Sequence, residues 1–164
     1  MVMRVCVGAA VLIVALAACA ATPVAEGPVA GPGTVSSGPA VSWQGHQLRE
    51  VTSLAALPAS IRQVLGANST GLDGMAEKGQ RFNVGDAVVE PLPMRRFITA
   101  GHDGDTWLAA FEQGGIVHSV TAVEISGGVM RRGWSLSCCM TTLAEVVQQV
   151  SAASPEQSFS PAVR

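Results

Sequence analysis

Residues 95–137 read RRFITAGHDGDTWLAAFEQGGIVHSVTAVEISGGVMRRGWSLS. Three dipeptides punctuate this stretch: Asp103-Gly104, Gly114-Gly115 and Gly127-Gly128. Two-residue hairpin turns need positive φ at their central residues, and such pairs supply it. The segments between them are short and rich in β-branched and aromatic residues. Seated on these turns, the first hairpin pairs His102 with Asp105 and Arg95 with Glu112, and the third pairs Glu124 with Arg131. Opposite charges then face each other in two separate hairpins, as favourable cross-strand pairing requires. The stretch predicts a four-stranded antiparallel β-meander over about 95–137.

This register also sorts side chains by face. One face carries Ile98, Trp107, Phe111 and His118; the other carries Phe97, Leu108, Val123 and Trp134. A sheet with one wet face alternates more cleanly, so both faces are expected to be covered. Ahead of the meander, Leu57, Ile61, Val64 and Leu65 follow helical spacing behind Pro58, and Gly66 ends the run. This predicts a helix over about 58–65 with Pro58 at its first position. Residues 67–94 are irregular, with one short strand expected within 83–89. Behind the meander, Thr142-Leu143-Ala144-Glu145 is a capping-box sequence opening a helix over about 142–150. The fold class is α+β: a meander flanked by two helices, in a single domain over 43–153. A flexible tail is expected over 154–164.

The N-terminus says where such a domain works. Arg4 is followed by an apolar run, Val5 to Leu16, and then by small residues, the layout of a secretory signal. The run is too short for a comfortable membrane span. Leu16-Ala17-Ala18-Cys19 resembles the lipobox of bacterial lipoproteins. The resemblance implies a signal peptide over 1–18, lipid attachment at Cys19, and a membrane-anchored protein of the cell envelope. With Ala20 following, it implies the periplasmic face of the outer membrane. Residues 19–42 hold Pro23, Pro28, Pro32 and Pro39 with a single charge and no apolar periodicity. They read as a disordered tether spanning about 25 Å on average.

Loss of residues 1–18 leaves 146 residues, enough for one domain with a real core. Nine basic and twelve acidic side chains then remain, a net charge of −3. Nucleic acid as a partner would call for a basic face, which this balance does not supply. The sequence has no tyrosine and few aromatic residues, a composition that mildly disfavours carbohydrate or peptide binding.

Chemistry-bearing residues are few. Cys138 and Cys139 are adjacent at the end of the last expected strand, and neither has a partner elsewhere in the processed chain. They can be buried small hydrophobes, a strained bond between neighbours, or a link to a second molecule. The meander register also puts Ser137 opposite His118 and Cys139 diagonal to it, at the outer limit of contact for a nucleophile–base pair. The dipole of the helix opened by Thr142 would lower a nearby thiol pKa. Cys138, Cys139 and Met140, with Met130 and His118, are also soft ligands of the kind Cu(I) prefers, although adjacent cysteines lack the usual chelating spacing. The Gly101–Asp105 segment has too few oxygens for a hard-ion loop, and Gly133–Ser137 is not a nucleophile elbow. No catalytic, cofactor or metal set is assigned. The reading is a non-catalytic binding or structural lipoprotein that contacts another envelope protein. A thiol-dependent redox or hydrolytic activity centred on Cys138/Cys139 with His118, and an inhibitor or immunity-type lipoprotein, stand as alternatives.

Overall fold

A computed structural model describes residues 38–160. The expected signal, the lipobox with Cys19, most of the tether and the last four residues lie outside the described residues. The chain runs β1 (Val41–Trp43), β2 (His46–Val51), α1 (Ala59–Val64), β3 (Met75–Ala76), β4 (Arg95–Asp103), β5 (Thr106–Gln113), β6 (Ser119–Ser126), β7 (Val129–Leu136), α2 (Leu143–Ala152) and β8 (Ser158–Phe159). All eight strands join one sheet in the order β1-β2-β4-β5-β6-β7-β8, with β3 beside β4. Every neighbouring pair is antiparallel except β3–β4.

The expectation of an α+β fold built on a four-stranded meander flanked by helices is therefore corrected. The described residues form a curled, mainly antiparallel sheet of eight strands, a half-barrel that carries two α-helices. Laid flat, the five strand steps from β1 to β7 would span about 24 Å. Instead Trp43 on β1 and Trp134 on β7 meet edge to face, with centroids 6.2 Å apart. Arg132 Nη2 on β7 also donates to Gln44 Oε1 in the β1–β2 turn at 3.3 Å.

The curl gives the sheet an inner and an outer face. On the inner face Leu143, Val146, Val147 and Val150 of α2 pack against Trp43, Leu48, Leu108 and Trp134. On the outer face Leu54, Leu57, Ile61, Leu65 and Met75 cover Phe97, Trp107, Phe111 and Ile125. Both faces are thus apolar and both are covered. α1 begins after Pro58, which is its N-cap rather than its first residue.

Two bulges change the expected register. Pairing shifts between Phe97 and Thr99, which sends Ile98 inward while Phe97 and Ala100 both face outward. Arg96 rather than Arg95 therefore meets Glu112, at 2.6 Å. A second shift beside Ile125 makes Arg132, not Arg131, the partner of Glu124, at 3.1 Å. Arg95 turns instead to the carbonyls of Leu65 and Gly66.

The turns divide in the same way. Gly127-Gly128 is a two-residue turn with φ of +60° and +73°. The first turn is Gly104-Asp105, because Asp103 still pairs with Thr106. His102 accordingly pairs with Trp107, not Asp105, and its ring stacks on that indole at 4.6 Å. Strand β5 ends on Gln113, which pairs with Ser119, so 114–118 is a loop rather than a tight turn at Gly114-Gly115. The short strand expected within 83–89 is a loop gathered around buried Asn83. The Asn83 amide donates to Leu92 O at 2.6 Å and accepts from Val89 N at 2.7 Å. Part of the expected tail is ordered: β8 pairs with β7, and Phe159 lies across Gly133.

Candidate functional site

The residues with chemistry gather at one end of the sheet, where β4 begins, β5 ends, β6 begins and β7 ends. Three loops close this end: 77–94, 114–118 and 137–142. They are stitched together. Lys78 Nζ donates to Thr141 O at 2.7 Å, Arg96 Nη1 to Gln80 O at 3.3 Å, and Gly115 N to Val84 O at 3.2 Å.

Glu112 is the charged centre of this end. Its side chain is mostly buried, accepts from Arg96 Nε at 2.6 Å and lies 3.5 Å from His118 Nε2. The Phe82 ring lies 4.5 Å from the Arg96 guanidinium and 6.0 Å from the His118 ring. The sequence pairs Glu112 with an arginine, whereas its contact with His118 leaves no local mark in the sequence. The meander register expects His118 on a strand, whereas it lies in the 114–118 loop with its ring against Glu112.

Cys138 and Cys139 are both exposed. They are not the buried hydrophobes that one reading of the sequence allowed. Leu136 and Met140 on either side are buried in the inner core and push the intervening residues outward. The two sulfur atoms lie 2.7 Å apart, one thiol donating to the other. Cys139 has a φ of +81°, a conformation that favours glycine. The Cys138 thiol, through its hydrogen bond and its charge when ionised, pushes the Cys139 pKa up. Burial and the Glu112 carboxylate push the same way. The expectation that the α2 dipole would lower a thiol pKa here is thus reversed for Cys139.

The proposed Cys139–His118 pair also changes. Leu136 pairs with Val120, so Ser137 does not face His118. His118 makes its polar contact with Glu112. This pair is not a nucleophile and its base, because the imidazole serves the Glu112 carboxylate and the Cys139 thiol resists ionisation. Met140 is buried and Met130 packs on the outer core, so the soft-ligand cluster is not assembled. Among the described residues, no group of three or more His, Cys, Asp or Glu side chains is placed to hold a metal.

The same end exposes apolar residues. Ile116 is 93% and Val117 73% exposed, and Val84, Val88 and Val89 are each about half exposed. At the opposite end, beside His102, Asp105 and Trp107, lies an open depression of about 520 Å³. Neither cysteine lines it. Among the described residues no helix is long and apolar enough to cross a membrane. No family model, curated protein or solved structure matches the chain.

Proposed function

We propose that the protein is a cell-envelope lipoprotein, anchored through Cys19 on the periplasmic face of the outer membrane. It acts as a non-catalytic module that binds another envelope protein with the loop-bearing end of its sheet. The anchoring rests on the lipobox-like Leu16-Ala17-Ala18-Cys19. The docking rests on one observation, the exposed Ile116-Val117 tip beside the half-exposed valines of the neighbouring loop. Apolar side chains elsewhere mostly enter the two cores, so this concentration at one end suits a binding surface. Asp86 and Glu90 are exposed among those valines. An anionic bilayer surface would repel them, which favours a protein over lipid as the partner.

The test is made in living cells with the full chain. A photoreactive residue at position 117 is expected to give a discrete adduct, and the same residue at Val129, half exposed at the far end, is expected to give none. Ile116→Asp should abolish the adduct. Monomer alone from position 117, or equal adducts from both positions, would remove the docking reading. Cys19→Ala should release the protein from the membrane fraction and end its labelling by palmitate; unchanged fractionation would remove the anchor.

A further inference from the structure

We propose that Cys138 and Cys139 form a reversible dithiol–disulfide couple, an exposed site that exchanges two electrons with a disulfide-bearing redox partner, either an oxidoreductase or a small-molecule disulfide. The inference stands whether or not the loop end docks a protein.

Four observations carry it. Both thiols are exposed, so a partner disulfide can reach them. Their sulfur atoms are already 2.7 Å apart. The backbone holding them is fixed on both sides: Leu136 and Met140 are buried in the inner core, and Thr141 O is held by Lys78. Finally, Cys139 occupies a left-handed conformation at φ +81° that glycine would adopt without strain. An exposed cysteine contributes no burial to offset that strain, and a strained residue on a fixed loop is a sign of function rather than packing.

The chemistry balances. The Cys138 thiol loses its proton to solvent and attacks the partner disulfide R–S–S–R. A mixed disulfide Cys138–S–S–R forms and one RS⁻ leaves. The Cys139 thiolate then attacks the Cys138 sulfur and expels the second RS⁻. The chain loses two protons and two electrons, and the partner is reduced to two thiols; a dithiol partner reverses the sequence. The exchange balances equally with Cys139 attacking first and Cys138 resolving.

The test equilibrates the full chain in a series of reduced and oxidised glutathione buffers, followed by alkylation and tryptic cleavage. Cleavage after Arg132 releases residues 133–164, which contain both cysteines and no other, so Cys6 and Cys19 do not interfere. In the more oxidising buffers this peptide should lose two hydrogens and take no alkyl group. Reductant should return both thiols. The equilibrium constant for oxidation should be at least about tenfold larger in the folded chain than in concentrated urea, because only the fold holds the sulfur atoms together. Equal constants in the two states would overturn the proposal. So would recovery of the peptide as two glutathione adducts, as a crosslinked dimer, or with both thiols alkylated throughout. A Cys138→Ser chain checks the assignment: it should form one glutathione adduct and never lose two hydrogens.

Discussion

Gly114 and Gly115 are neighbours with different reasons for being glycine. Gly115 has a φ of +125°, while a Cβ on Gly114 would stand 1.7 Å from the backbone oxygen of Asn83. Gly115→Ala meets only Met94 at ordinary contact distance, so it is expected to cost about 1–2 kcal/mol through its backbone conformation alone. Gly114→Ala must displace the 83–92 loop and is expected to cost about 3 kcal/mol. Thermal melting should separate the two substitutions, and equal losses would show that the loop yields freely. A sequence reader sees one Gly-Gly pair and infers a hairpin, because close approach to a segment thirty residues away leaves no local mark. Glu77 shows a different residue-level effect. Burial would raise its pKa, but N–H groups of Leu54, Lys78 and Ala55 and the Ser53 hydroxyl donate to its carboxylate and hold the pKa below the ordinary value. The folded state then binds this proton less readily than the unfolded chain. The resulting stabilisation is complete above the unfolded pKa of about 4.3 and is lost as pH falls through the lower folded value. Urea unfolding from about pH 5 to pH 3 should therefore show a smaller loss of stability in Glu77→Gln than in the parent. Parallel curves would contradict this.

At the level of elements, α2 shows what local sequence reveals and what it hides. Its capping box is present: Thr142 Oγ1 accepts from Glu145 N at 3.3 Å, and Glu145 Oε2 accepts from Thr142 N at 3.0 Å. Those residues lie within one turn, so the spacing alone revealed them. The third support is Glu50 on β2, whose Oε1 accepts from Leu143 N at 2.9 Å and from the buried Thr99 hydroxyl at 2.8 Å. Nothing in the pattern of His46–Val51 marks Glu50 as the link between β2, β4 and α2, and its charge helped to hide the strand. Thr142→Ala is expected to cost about 1 kcal/mol. Glu50→Ala is expected to cost about 2 kcal/mol, since it removes bonds to a charged group and leaves the Thr99 hydroxyl only its longer bond to Val51 O at 3.4 Å. Denaturant midpoints of the two variants check the order, and a larger loss from Thr142→Ala would reverse it. The hairpins carry the same lesson. Gly127-Gly128 was legible because both residues take positive φ, whereas the bulges near Ile98 and Arg131 depend on which side chains each face must bury. A two-residue period carries no sign of an inserted residue, so it points to Arg95 where the structure pairs Arg96 with Glu112.

For the whole molecule, the central strands and α2 were visible in the sequence because each spans several periods of its own pattern, and the six-residue α1 because Pro58 and Gly66 bracket it. The two-sided burial of the sheet was also legible, in the apolar residues at both parities of β5 and β6. The curl was not, since it rests on Trp43 meeting Trp134 across ninety-one positions of chain. Strands β1, β3 and β8 are only two or three residues long, too short for a period to declare itself. The loop end with Glu112, His118 and the cysteines inherits that limit, because three loops distant in sequence build it. The curled sheet also makes a prediction about cooperativity. It is the shared wall of both cores: Leu143 is fully buried on its inner face and Ile61 is buried on its outer face. Each residue truncated to Ala should cost about 2–4 kcal/mol through lost burial and the cavity left behind. The sites share no partner and lie on opposite sides of the sheet, so the double variant should equal the sum within about 0.5 kcal/mol. Because neither core keeps its sheet wall once the other melts, urea unfolding of all three variants should remain a single transition with coincident fluorescence and circular dichroism curves. Two transitions, with Ile61→Ala moving only one of them, would mean that α1 and its cover come away while the inner core and α2 stay folded.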